Sequence, residues 1–310
     1  LAVIDDADFI IKWRLTDFCN ADCSYCLRKE VVGNKAGITQ EELQKEEDNL
    51  CKAARDISKL LDTTNFNTVK INILGGEVSI FNLERIISSI TSDKLKRINL
   101  TTNFLRASSY YQSFRLYIKN RGISLTLTAS FHPEFQSFDA YFEKIKTVQG
   151  LVDTLTCEIV SNKENQDVVR QFISKCKELN LYYKADADLR MEQKDARNKG
   201  LIAESNKAEN CHYKILFMDG TEKSYIVRNH IFMDNEIADI LDHKILLTKG
   251  MSCTSGYNYI YILYNEVVGR TNEINRCSTR TPISKYKLIE PKPCKMHGCT
   301  ICGDMSLWRD

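Results

Sequence analysis

FIIKWRLTDFCNADCSYC, residues 9–26, is the stretch on which the reading of this chain turns. Its first eight residues, Phe9 to Thr16, are rich in aromatic and branched apolar side chains and read as a strand. The strand runs straight into a loop carrying Cys19, Cys23 and Cys26 at C-x3-C-x2-C spacing, with no fourth cysteine close by. Metal shells that only hold a fold together are normally closed by four protein ligands. Three thiolates at a strand end therefore point to a site with one coordination position open to a small molecule.

Outward from the loop, strands and helices alternate. Residues 39–62 read as a helix, with Leu43, Leu50, Ala54, Ile57 and Leu61 on one stripe and Thr39 and Glu42 placed as a capping box. Strand patterns follow at 68–74, 97–102, 124–130, 154–160 and 182–189, with helical patterns at 83–90, 110–119, 141–148 and 167–179 between them. Six strands in this rhythm predict an α/β fold, either a parallel sheet or a partial (β/α)6 TIM-like barrel. In such folds chemistry collects at the carboxyl ends of the strands, where the cysteine loop sits. After about residue 190 the rhythm breaks. Two hairpin-like runs, 213–227 around an Asp-Gly turn and 257–271, predict a small second domain. The expected division is 1–205 and 206–310.

The chain has 310 residues, 43% hydrophobic and 27% charged, with a formal net charge of +2, which reads as soluble and globular. That balance gives no electrostatic footprint for nucleic acid and none for a membrane surface. The apolar run at 259–264 is too short to span a bilayer, and the acidic start lacks the basic character of a secretory signal. A cytoplasmic protein is expected. There, 12 cysteines clustered at metal-like spacing speak for metal binding rather than disulfides.

The second strand is followed at once by Gly75, Gly76 and Glu77, and the third ends in Thr101, Thr102 and Asn103. Two glycines let backbone approach a ligand closely, and a carboxylate beside them can accept bonds from an ammonium group. With C-x3-C-x2-C after strand one and Gly-Gly-Glu after strand two, residues 9–190 resemble the radical S-adenosylmethionine (SAM) superfamily. The resemblance implies a [4Fe–4S] cluster on Cys19, Cys23 and Cys26. It places Tyr25 near the adenine of SAM, Glu77 on the methionine amino group, and Gly75, Gly76, Thr102, Asn103, Ser130 and Arg190 around the cofactor. It further implies reductive cleavage of SAM to a 5′-deoxyadenosyl radical, which takes a hydrogen atom from an unactivated carbon. Zinc held by the three thiols and a remote residue is the alternative reading of the spacing.

Cys253, Cys277, Cys294, Cys299 and Cys302 fall in the last sixty residues. With Gly256 and the 257–271 run they resemble the auxiliary-cluster extensions called SPASM and twitch domains. The resemblance implies one auxiliary [4Fe–4S] cluster on Cys253, Cys277, Cys299 and Cys302, with Cys294 spare or replacing one of the four. A structural zinc site is the alternative, because cysteine spacing does not tell iron from zinc. His297 lies in the same loop and reads as a polar surface residue or a ligand.

Cys51 and Cys176 read as small buried hydrophobes. Cys211, at the hand-over between the two parts, is a candidate hydrogen-atom donor, as in relatives that epimerise their substrates. His132 and Glu134 lie just past a strand end as candidate acid, base or substrate anchor, while the facing of Glu158 and Asp186 is left open. The resemblance implies a peptide or small-molecule substrate, such as a sugar or aminocyclitol, and a one-electron donor such as flavodoxin or ferredoxin. Crosslinking, dehydrogenation and epimerisation all fit. A ribosomally made peptide comes first; only 18 residues precede Cys19, which tells against a leader-binding wing there and makes the small molecule a close alternative. A non-catalytic zinc-binding module is the reading of another class.

Overall fold

A computed structural model describes residues 8–26, 38–188, 201–202, 204–206, 211–216, 222–228, 231–232, 252–253, 256–269, 279–290 and 292–293. Six strands come first: β1 (Phe9–Arg14), β2 (Val69–Leu74), β3 (Leu95–Thr102), β4 (Ser124–Phe131), β5 (Thr154–Ser161) and β6 (Tyr182–Ala187). Between consecutive strands lie α1 (Gln40–Asp62), α2 (Leu83–Ser88), α3 (Ser108–Asn120), α4 (Phe138–Gln149) and α5 (Gln166–Glu178). All six strands pair in parallel and in chain order. Crossovers between neighbouring strands in strict sequence, of the right hand that parallel sheets favour, put helices on one face, the winding of a β/α barrel rather than of a doubly wound sheet. The strand order is linear and runs from β14 to β7, both defined below.

Local signals explain the elements. Thr39 caps α1: its hydroxyl accepts from the Glu42 amide (3.2 Å), and its own amide donates to the Glu42 carboxylate (2.9 Å). Such reciprocal caps contribute about 1 kcal/mol. Leu50, Ala54, Ile57 and Leu61 then bury the stripe the sequence predicts, with Leu43 packed at its margin. Strands β2 and β4 alternate strictly, burying Val69, Ile71 and Ile73, and Leu125, Leu127, Ala129 and Phe131, under the helices. The opposite face is polar and half-sheltered, carrying Asn72, Thr126, Thr128, Ser130 and Glu158 among others. A parallel sheet buried in apolar surroundings on both sides would show unbroken apolar runs. This alternation therefore marks a polar interior, the face on which a site can be built.

The described parts beyond residue 200 add β7 (Glu204–Ser205) at the β6 edge and a separate sheet of β8 (Cys211–Leu216), β9 (Glu222–Arg228) and β10 (Ile231–Phe232). The short strand β11 (Ser252–Cys253) pairs with β15 (Lys292–Pro293). Strand β12 (Tyr259–Leu263) lies parallel to β1, and β13 (Glu266–Gly269) and β14 (Thr279–Pro282) continue the sheet antiparallel. The Trp13 indole donates to the Tyr264 carbonyl (2.8 Å), and Ile260, Ile262, Val267, Ile283, Tyr286 and Ile289 join the main core. Among the described residues no helix is long and apolar enough to cross a membrane.

Candidate active site

At the carboxyl end of β2 the chain lies directly on the cysteine loop. The Gly76 amide donates to the Thr16 carbonyl (2.9 Å) and the Glu77 amide to the Phe18 carbonyl (2.8 Å). A Cβ on Gly75 would sit 2.7 Å from the Thr16 oxygen, and one on Gly76 only 2.1 Å from the Phe18 oxygen. Glycine is thus required so that two backbones can touch. The sequence alone suggests a ligand making that close approach; the close neighbour in the structure is the loop that holds Cys19.

Glu77 is fully buried and faces into the chain. Its carboxylate accepts from the Ser79 amide (2.7 Å), the Thr102 hydroxyl (2.7 Å) and the Asn103 amide (2.6 Å). Burial raises its pKa against the pull of these bonds. Here the carboxylate clamps the end of β2 to the end of β3. Thr102 also meets the Tyr111 hydroxyl (3.1 Å), and the Asn103 side-chain amide donates to Asn20 (2.7 Å), beside Cys19. Thr102, Asn103 and Glu77 thereby form one buried bracket behind the cysteine loop.

The three thiols share one neighbourhood. Burial first, then the nearby charges of Glu77 and Cys26, push the Cys19 thiol up to about 11. Burial, with Cys19, Cys26 and Glu134, pushes Cys23 up to about 12. The Ala21 amide donates to the Cys19 sulfur (3.4 Å). The Cys19 and Cys23 thiols resist losing their protons unless a cation arrives to balance the thiolates. Among the described residues no three His, Cys, Asp or Glu groups are gathered closely enough for a single metal ion. The donor set, all sulfur, with an amide aimed at one sulfur, fits an iron–sulfur cluster, whose thiolate ligands commonly accept such bonds.

The Tyr25 and His132 rings lie parallel and offset, 6.0 Å between centroids with planes 6° apart. His132 Nδ1 lies 2.9 Å from the Tyr25 hydroxyl and 3.3 Å from Cys23 Sγ. Burial lowers the His132 pKa, against the pull of the Glu158 and Glu134 charges. Glu134 accepts from the Ser24 amide (2.9 Å) and also meets its hydroxyl, tying the turn after β4 to the cysteine loop.

Farther round the polar face, Ser130, Glu158 and Lys184 stand in register on β4, β5 and β6. Ser130 donates to Glu158 (3.2 Å), and Lys184 bridges Glu158 (3.3 Å) and Asp186. Burial works against the Lys184 ammonium, but the two carboxylates outweigh it and raise its pKa. Burial opposes Glu158 ionisation too, yet Lys184 and the hydrogen bonds hold its pKa low. Asp186 is left as the weaker partner, pushed up to about 7 by burial and by Glu158 against the pull of Lys184. The sequence reading leaves the facing of Glu158 and Asp186 open and passes over Lys184. Alternation along β5 and β6 is the signal that puts all three on one face. Cys211 opens β8 and Cys253 closes β11, while Arg190, Cys277, Cys294, His297, Cys299 and Cys302 lie outside the described residues.

No protein-family model matches the sequence, and no curated protein matches it. Among solved structures the fold is similar to a hexahistidine-tagged anSMEcpe with bound AdoMet at 13% identity and TM-score 0.48, over 89% of this chain and 78% of that one. It is similar to native anSMEcpe with bound AdoMet at 14% identity and TM-score 0.42. That alignment covers 58% of this chain, which thus spans only 51% of the other. A 3-dehydroquinate dehydratase from Geobacillus kaustophilus HTA426 aligns at 9% identity and TM-score 0.30, over 58% of this chain and 73% of that one.

Proposed function

We propose that this chain is a radical SAM enzyme acting on a C–H bond. One observation carries the reading: the C-x3-C-x2-C loop is seated by backbone contact on Gly75 and Gly76, at the strand-end rim of a polar sheet face. A cluster held there by Cys19, Cys23 and Cys26 would supply the one electron that reductive cleavage of SAM to methionine and a 5′-deoxyadenosyl radical requires. Tyr25, its ring parallel to that of His132, offers an aromatic wall for the adenine. Gly75, Gly76, Thr102, Asn103, Ser130 and Arg190 surround the rest of SAM. Glu77, whose carboxylate brackets the ends of β2 and β3, would also hold the methionine amino group of SAM.

For the C-terminal part we propose one auxiliary [4Fe–4S] cluster on Cys253, Cys277, Cys299 and Cys302, with Cys294 in reserve, in a SPASM/twitch-like domain beginning near residue 206. A flavodoxin- or ferredoxin-like protein would supply electrons in the cytoplasm. A peptide and a small molecule both remain within this proposal as substrates, and Cys211 as hydrogen-atom donor would make the reaction an epimerisation. The test is reduction of the oxygen-free, iron-loaded protein in the presence of SAM. Release of 5′-deoxyadenosine, abolished by Cys23→Ala, is expected; no release from a fully iron-loaded protein sinks the proposal.

A further inference from the structure

We infer that Glu158, Lys184 and Asp186 form the docking site for a primary ammonium group on the substrate. The inference uses the radical SAM reading only in calling the ligand a substrate.

The three groups lie on the polar face of adjoining strands β5 and β6, each side chain about one-fifth exposed at 20–21%. One ammonium stands between two carboxylates, so the cluster is short of one positive charge. Among the described residues, the same face of β4 and β5 offers otherwise only Ser124, Thr126, Thr128, Ser130, Thr154, Thr156 and Val160, and Ser205 is the β7 partner of Lys184. Among the described strand residues, the other cations of that face, Lys12, Arg14, Lys70 and Arg97, stand on β1 to β3. A half-buried carboxylate without its own counter-ion takes up a proton or accepts a cation. The high pKa of Asp186 records that shortage, and the two carboxyls lie close enough to share a proton. A divalent metal ion is disfavoured because the Lys184 ammonium already sits between the carboxylates.

A second observation is independent of charge. Thr156, only 5% exposed and two residues before Glu158 on the same face, has a buried hydroxyl with no hydrogen-bond partner among the described residues. Folded proteins seldom leave such a group unpaired, and doing so costs about 1–3 kcal/mol. Its position beside the carboxylates calls for a polar group arriving with the ligand. An ammonium with a neighbouring hydroxyl or amide satisfies both needs.

The experiment measures binding to the full iron-loaded chain by calorimetry, with SAM present. The probes are glucosamine against glucose, and a lysine-containing pentapeptide against its norleucine counterpart. One amine is expected to bind at least about tenfold more tightly than its neutral partner, the size of one charge-assisted hydrogen bond. The pair that shows the difference names the source of the ammonium. Asp186→Asn removes the preference while leaving the Kd of SAM and the iron content unchanged. Lys184→Met, which frees both carboxylates, strengthens amine binding, so the two variants must move in opposite directions. Equal binding of charged and neutral probes overturns the inference, as does an equal loss of SAM binding in Asp186→Asn. Amine selectivity without SAM cleavage would keep this site and discard the radical reading.

Discussion

Gly76→Ala tests how the cysteine loop is held. The new methyl group would stand 2.1 Å from the Phe18 carbonyl oxygen, 2.7 Å from its carbon and 2.9 Å from the Asp17 oxygen. Ordinary contact begins at 3.4 Å, so the two backbones must part by about 1 Å. That separation breaks the bonds from Gly76 to Thr16 and from Glu77 to Phe18. Two amide bonds lost in a sheltered place cost about 2–4 kcal/mol together. The corresponding fall in Tm is roughly 4–10 °C. Gly150→Ala is the control, because the glycine there is in right-handed helical conformation with nothing within 4 Å of a Cβ. It should be neutral or stabilise by up to about 1 kcal/mol. Calorimetric melting of the metal-free chain and iron per chain after loading are the assays. If Gly76→Ala melts and loads like Gly150→Ala, the account of the loop's seat is wrong.

Other outcomes follow from the same geometry. Glu77→Ala strands the Ser79 and Asn103 amides in the interior and leaves the Thr102 hydroxyl only its Tyr111 partner; a loss of about 2–5 kcal/mol in urea unfolding is expected, and less than 1 kcal/mol would contradict the bracket. Cys51→Ala and Cys176→Ala, both buried in the core, should each cost about 1 kcal/mol and leave iron content unchanged, whereas Cys19→Ala should lower it. Because Asp186 titrates near 7 when folded and near 3.8 in its ordinary state, its contribution to stability is full below about pH 4 and is lost as pH rises through about 7. Melting of the wild type relative to Asp186→Asn should therefore fall between about pH 4 and pH 7 and level off above, and parallel curves would refute the assignment.

Much of the fold was legible because alternation and capping are local. The six expected strands all appear, with ends moved by at most two residues, and the helix expected at 39–62 runs Gln40–Asp62 behind its Thr39 cap. Helix α4 begins at Phe138, earlier than the apolar spacing shows, because the Ser137 side chain accepts from the Ala140 amide. The pairing of β12 with β1 was not legible, since it joins residues some 250 apart through backbone bonds that carry no side-chain signature. At the site, the cysteine spacing and the Gly-Gly-Glu triplet could be read directly. The inward turn of Glu77 could not, because a carboxylate beside two glycines has the same sequence whether it faces a ligand or buried amides. Lys184 escapes a reading of the sequence because a lone lysine in a strand usually faces solvent; only its register opposite Glu158 gives it a role.

The most direct measurement is electron paramagnetic resonance of the oxygen-free, iron-loaded, reduced chain with the auxiliary cysteines Cys253 and Cys277 replaced by alanine, before and after addition of SAM. The account predicts about four irons per chain, a four-iron signal that changes on SAM addition, and loss of both when Cys19, Cys23 and Cys26 are replaced. Zinc in place of iron, or a signal indifferent to SAM, would contradict it.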